Sequence, residues 1–199
     1  MRRLRVDGEP DDEAIADIAA VLLGGGVALL PTDTIYGLHA VAGDDAAVAR
    51  VAKLKGRGDG KPFVVIAASA GQLREFGAYV PEALESLWPA PLTAILRRGE
   101  GTLAARVPEL PWLRRLLEQS GPLVSTSANR SGKPPISSID ELENQVAEGV
   151  DFALDAGLVE GEPSTIVDFT GEPPQILREG DPHFAQNLRK TLRISLCKT

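Results

Sequence analysis

Lys55 and Arg57 stand two residues apart where the chain turns glycine-rich, and Lys61 and Pro62 close the same stretch. If this segment is extended, side chains two apart emerge on one side, so a polyphosphate would bridge the two cations. Guanidinium offers paired hydrogen bonds to phosphate or carboxylate, and lysine offers a mobile point charge. A second cluster, Ser125-Thr126-Ser127-Ala128-Asn129, follows the apolar Pro122-Leu123-Val124. Its hydroxyls and amide would emerge at the end of a strand, although the same residue types also serve as turn and capping groups. Three more segments carry comparable chemistry: Pro31 through Leu38 (PTDTIYGL), Arg106-Val107-Pro108 and Pro163-Ser164-Thr165. Together they supply hydroxyls, amides and cations without an obvious nucleophile, which suits a site that binds anions and orients reactants.

Other chemistries lack material. With His39 and His183 as the only histidines and Cys197 as the only cysteine, there is no zinc cluster and little from which to build a Ser-His-Asp triad. Gly56 to Lys61 looks like a phosphate-binding P-loop, but its glycine spacing is one residue short and Pro62 stands where Ser or Thr should meet magnesium. The net charge of -7 argues against nucleic-acid binding by bulk electrostatics, so any anion site must be local. No apolar run approaches the roughly 18 residues of a membrane span, and the N-terminal Met1-Arg2-Arg3-Leu4-Arg5 leads into acids rather than an apolar signal region. A cytoplasmic protein is expected.

The elements that must position these groups read as alternating helices and buried strands. Pro10 and the acids Asp11 to Glu13 open a helix whose apolar residues Ile15, Ile18, Ala19, Leu22 and Leu23 share one face until Gly24-Gly25-Gly26. Val27 to Leu30 reads as a buried strand, and Asp44 or Asp45 caps a helix ending before Gly56. Strands are expected at 63–67, 93–96, 103–107, 123–126, 152–155, 165–169 and 175–178, with helices at 69–76, 82–88, 112–119 and 139–146. This alternation indicates an α/β fold with α+β character: one twisted, mixed parallel and antiparallel sheet flanked by helices. We expect a single domain over 1–199, with a core of about 10–182 and a C-terminal helix or tail at 183–199.

Seven segments in order carry a family resemblance: PTDTIYGL at 31–38, KGR at 55–57 with KP at 61–62, WPAPLT at 88–93, RVP at 106–108, STSANRSGKP at 125–134, PSTIVD at 163–168 and REG at 178–180. In these the chain resembles the YrdC-like threonylcarbamoyl-AMP synthases, from about Gly25 to Gly180. The resemblance implies the YrdC-like fold in its short form and a condensation of L-threonine, bicarbonate or carbon dioxide and ATP to threonylcarbamoyl-AMP and pyrophosphate. Magnesium would ride mainly on the phosphates and leave no ligand signature. Downstream threonylcarbamoyl-transferase proteins would then modify a tRNA adenosine beside the anticodon.

By the same resemblance, Thr34, Arg106, Ser125 and Ser164 would contact threonine, with Arg106 on its carboxylate. Arg57, Lys61, Thr102, Ser127, Asn129, Pro135 and Arg178 would surround ATP, and Lys55 and Arg57 would form the catalytic pair. The chain departs from the family pattern at Gly58, Ala90, His39 and Ile66; family members often have proline at the first, glycine at the second, a small residue at the third and, in some, histidine at the fourth. His39 and Tyr36 could either line a pocket or pack beneath it. A non-catalytic module binding double-stranded RNA or tRNA, and a paralogue with another acceptor, are the alternative readings.

Overall fold

The structure is a computed structural model that describes residues 1–56 and 62–192. In chain order its elements are β1 (Arg2–Arg5), α1 (Asp12–Leu23), β2 (Ala28–Leu30), β3 (Gly37–Val41), α2 (Asp45–Lys55), β4 (Val64–Ile66), α3 (Ala70–Glu75), β5 (Ala78–Tyr79), α4 (Ala83–Leu87), β6 (Leu92–Arg98), β7 (Gly101–Arg106), α5 (Pro111–Ser120) and β8 (Leu123–Ser127). A 3-10 turn (Ile139–Glu141), α6 (Asn144–Ala147), β9 (Phe152–Asp155), β10 (Thr165–Asp168), β11 (Gln175–Arg178) and α7 (Pro182–Leu192) follow. The strands form one mixed sheet in the order β1-β9-β2-β3-β8-β4-β7-β6-β10-β11, with β5 attached to β6. Both parallel pairs, such as β4 with β7, and antiparallel pairs, such as β3 with β8, occur, in agreement with the mixed sheet expected.

Local chemistry sets the helix ends. Asp11 caps α1 by accepting from the Ala14 amide, and Asp44 caps α2 by accepting from the amides of Ala46 and Ala47. Gly56 ends α2 in the left-handed conformation, with φ of +58°, which a side chain would strain. The extended path assumed for Lys55 to Arg57 is therefore corrected: Lys55 is the last residue of a helix and the chain turns immediately after it.

The two sheet faces have different fates. On one, Leu29, Leu38, Ala40, Val65, Val124, Ala105, Ala94 and Leu96 form the larger core, beneath apolar residues of α2, α3, α4 and α7 such as Val51, Leu73, Leu84 and Leu188. On the other, α1 and α5 cover only part of the surface, packing Ile15, Ile18 and Leu22 with Leu113, Leu116 and Leu117 over Ala28, Leu30, Ile66 and Leu123. Side chains alternate along a strand. Ser125 and Ser127 thus continue the face begun by Leu123, and Val64 that begun by Ile66, beyond the edge of the helical cover.

One further expectation needs correction, and the strands β1, β3 and β5 were not expected. Residues 139–146 are not one helix but a 3-10 turn and the short α6, because Leu142, with ψ of 126°, is extended between them. The strand β3 went unread because it follows the PTDTIY segment without a break. The strand β1 went unread because three of its four residues are arginines. Among the described residues no helix is long and apolar enough to cross a membrane.

Candidate active site

The uncovered part of the second face is a cavity of about 450 Å³. Its floor is built from strand positions that register side by side: Gly37 opposite Ser127, Ser125 opposite Val64, Val64 opposite Ala104, and Ala104 opposite Ile95. Ile166 on β10 lies opposite Thr93 on β6 and carries the floor to its far side. Loops supply the walls, with Thr32, Thr34 and Ile35 from the PTDT segment, Ser131 and Pro135 after β8, and Pro163 and Ser164 before β10.

Two polar groupings stand in this cavity. In the first, Arg106 is 5% exposed and its Nη1 donates to Thr34 Oγ1 at 3.0 Å. Behind it Asp33 places Oδ1 at 3.3 Å from Nη2, an ion pair without hydrogen-bond alignment, since Asp33 Oδ1 and Arg106 Nε are both buried without a hydrogen-bond partner. Burial lowers the Arg106 pKa, with Asp33 opposing, and the Glu109 carboxyl nearby is pushed up by burial and by Asp33. The Thr34 hydroxyl lies 2.9 Å from that of Thr32, which also donates to the Ile35 carbonyl at 2.8 Å. Across the cavity Ser164 Oγ sits 2.8 Å from Thr93 Oγ1, while Arg178 donates to the Ser164 carbonyl from Nη2 at 2.8 Å. Burial also lowers the Arg178 pKa.

In the second grouping Lys55, 7% exposed, crosses from the end of α2 to the end of β8. Its Nζ donates to Ser127 O and Ser127 Oγ, both at 2.7 Å, and to Asn129 Oδ1 at 3.0 Å. Asn129 in turn donates to the carbonyls of Arg130 and Lys133, and the Ser131 amide donates to the Lys55 carbonyl at 2.9 Å. The lysine therefore fastens the turn after β8 to α2, and two of the segments read from sequence, its own and Ser125 to Asn129, meet at its ammonium.

Thr34, Lys55, Arg106, Ser125, Ser127, Pro135, Ser164 and Arg178 thus share one cavity. Asn129 joins it through Lys55 and borders a smaller neighbouring cavity with Pro135. Thr102 is exposed near the start of β7, on the same side as Ala104 and Arg106 but outside the cavity lining. Arg57 and Lys61 lie outside the described residues. Neither His39 nor Tyr36 lines the cavity, and both are fully buried.

The walls depend on two close backbone approaches. A Cβ on Gly161 would collide with the Thr34 carbonyl, and one on Gly180 with the Pro163 carbonyl. Tyr36 adds a clasp: its hydroxyl donates to the Gly157 carbonyl at 2.9 Å and accepts from the Ala156 amide at 3.0 Å. Asp155 is held in turn by Arg3, whose Nη2 stands 2.7 Å from Oδ2, and accepts from the Gly157 amide through Oδ1. Sequence reading missed the roles of Asp33, Thr32 and Thr93 as partners of Arg106, Thr34 and Ser164. Thr93 carried a legible signal, as a hydroxyl inside an otherwise apolar strand run.

The family described as Telomere recombination (Sua5, YciO and YrdC) matches residues 20–180. The putative threonylcarbamoyl-AMP synthase of Mycobacterium tuberculosis is 33% identical over 189 residues, covering 87% of each chain. The threonylcarbamoyl-AMP synthase of Bacillus subtilis is 34% identical over 192 residues, covering 85% of this chain and 54% of the relative. The crystal structure of Pyrococcus abyssi Sua5 complexed with L-threonine superposes with a TM-score of 0.85 at 32% identity. That superposition covers 96% of this chain, which spans 61% of the length of the archaeal one. With a match over most of its length and relatives above 30% identity, the chain belongs to the Sua5/YciO/YrdC family.

Proposed function

We propose that this protein is an L-threonylcarbamoyladenylate synthase. It joins L-threonine, bicarbonate or carbon dioxide, and ATP into threonylcarbamoyl-AMP, with release of pyrophosphate. The observation that carries the reading is the pairing, in one cavity, of a buried guanidinium flanked by hydroxyls with Ser127 and the Lys55 that binds it, Asn129 holding the same lysine from beside the cavity. The names of the curated relatives and the threonine bound to Pyrococcus abyssi Sua5 support it.

In this reading Arg106 takes the threonine carboxylate, because a planar fork matches it, while Thr34, Ser125 and Ser164 hold the rest of the amino acid. Ser127, Asn129, Pro135 and Arg178 surround the nucleotide, together with Arg57, Lys61 and Thr102. The amine nitrogen attacks the carbon of carbon dioxide and loses a proton, or attacks that of bicarbonate with a C–O bond breaking and water leaving; either route gives the carbamate. A carbamate oxygen then attacks the α-phosphorus, and the bond to pyrophosphate breaks. The carbamate is itself the nucleophile, so the protein contributes alignment and charge neutralisation, and holding reactants at contact distance is worth up to roughly 7–11 kcal/mol.

Lys55 acts here by fixing Ser127 and Asn129, and Arg57 is the cation of the pair that meets phosphate. Magnesium belongs with ATP in this scheme: among the described residues no cluster of three acidic, histidine or cysteine side chains could hold it, and its charge would offset that of the phosphates. A cytoplasmic setting, transfer proteins downstream and a tRNA as final acceptor complete the proposal.

The test is pyrophosphate release from ATP and magnesium with bicarbonate, with and without L-threonine. Release that requires both threonine and bicarbonate is expected. Folded protein that binds ATP yet releases none would overturn the assignment in favour of a paralogue with another acceptor.

A further inference from the structure

His39 is a buried titratable side chain that the proposed reaction does not use. It is 0% exposed, in the middle of β3, with Ala28 opposite on one neighbouring strand and Ser125 opposite on the other. Small residues make its slot. Gly37, two positions earlier on the same face, lies so close that a Cβ there would come within 2.8 Å of the imidazole Cε1. The ring's one side-chain hydrogen bond runs from Nε2 to Ser125 Oγ, at 3.1 Å. Nδ1 is buried without a partner in hydrogen-bond geometry, although backbone groups of Gly37 and Ala28 lie near enough to the ring to oppose, weakly, the lowering of its pKa.

A serine hydroxyl on an open strand face rotates among three staggered positions, which a bond to a fixed neighbour reduces to one. The imidazole is such a neighbour. Closed in by Gly37, Ala28 and Ser125, it presents one nitrogen to the cavity floor through a single intermediary. Burial, and then the charge of Arg106, lower the His39 pKa to about 3, so the ring stays neutral and adds no charge to the anion site. Ser125 itself lines the cavity and stands two residues before Ser127 on the same face, between the Arg106 end and the lysine-bound end.

We infer that His39 is a positioning residue for substrate binding, holding the Ser125 hydroxyl in the orientation that receives the amino-acid substrate. The inference rests on the proposed synthase reading and adds to it a residue that never touches substrate. A side chain that merely filled space could be replaced by any group of similar size. A positioning group must keep its hydrogen bond.

The experiment compares His39→Leu, His39→Gln, Ser125→Ala and the double variant His39→Leu/Ser125→Ala in the pyrophosphate assay, with KM measured separately for L-threonine and ATP. We expect His39→Leu to raise the threonine KM about tenfold, the loss of one hydrogen bond, with the ATP KM little changed. The Gln variant, which keeps a polar end at similar reach, recovers most of that loss. The double variant is no worse than Ser125→Ala alone, because the two residues act as one unit. Equal defects in the Leu and Gln variants, or losses that multiply in the double variant, would overturn the inference. If His39→Leu does not fold, His39→Asn, whose amide falls short of Ser125, takes its place in the same cycle. A wild-type protein that releases no pyrophosphate defeats the synthase reading, and this inference with it. An active wild type without coupling between positions 39 and 125 defeats the inference alone.

Discussion

Arg106 and Asp33 face each other across 3.3 Å, Nη2 to Oδ1, with each side chain about 5% exposed. The arginine that the synthase reading assigns to threonine is thus already half of an ion pair, and its second partner among the side chains is the Thr34 hydroxyl. Removing one member strands the other in a low-dielectric setting. Asp33→Ala should therefore destabilise the protein by roughly 3–5 kcal/mol, and Asp33→Ala with Arg106→Met by less than that, since neither charge is left unpaired. Urea unfolding of both variants checks the order. A double variant less stable than Asp33→Ala would contradict it.

Lys55 is predicted to matter through the groups it holds. Lys55→Met should weaken ATP binding at least about tenfold, because Ser127 O and Asn129 Oδ1 both lose a charged donor. Lys55→Arg should not restore it, since a planar fork cannot converge on three acceptors as an ammonium does. Titration with ATP reads both, and full affinity in the Met variant would remove Lys55 from the site.

Tyr36→Phe deletes one hydroxyl that joins two backbone groups, the Gly157 carbonyl and the Ala156 amide. A loss of about 1–3 kcal/mol is expected, with faster amide exchange in residues 156–164 than elsewhere. Hydrogen-exchange mass spectrometry distinguishes this local loosening from a uniform loss.

Gly161→Ala tests the wall over Thr34. A methyl group there meets the Thr34 carbonyl, a backbone atom that cannot turn aside. Threonine affinity should fall while ATP affinity, supported at the other end of the cavity, changes little. Equal threonine affinity would show that the wall yields.

Acid should unfold the protein partly through His39. The folded pKa, about 3, lies below the ordinary 6.5, so the unfolded chain takes the proton first. The stability this provides is complete above about pH 6.5 and is lost as pH falls toward the folded value, at up to roughly 1.4 kcal/mol per unit. His39→Gln should flatten the dependence between about pH 6.5 and 4 in urea melts. An unchanged slope would assign the acid sensitivity to other groups.

The helices capped by Asp11 and Asp44 and the strand beneath Leu123 and Val124 were readable because each rests on local chemistry: a cap, a period, an apolar run. The strand β3 was not, because Gly37 and His39 look like punctuation until Ala28 and Ser125 are known to flank them. Motif order pointed to Ser127, Asn129 and Arg106. It could not show that Lys55 turns inward onto the first two, or that Asp33 stands behind the third, since those relations join residues 72 to 74 positions apart. Nor could it show that Lys55 closes a helix, with a left-handed turn following at Gly56, where an extended path had been expected.

The cavity floor shares its strands with the larger core, one residue facing the site and the next facing the interior. Val64, Ala104 and Ile95 line the site, while Val65, Ala105 and Ala94 beside them are sealed in the packing. Mutational tolerance along these strands should therefore alternate. Changes at the site-facing positions can reshape which amino acid or acyl group is accepted, while the register and the interior stay as they are. A lineage could in this way explore new substrates by single steps, none of which has to pass through an unfolded intermediate.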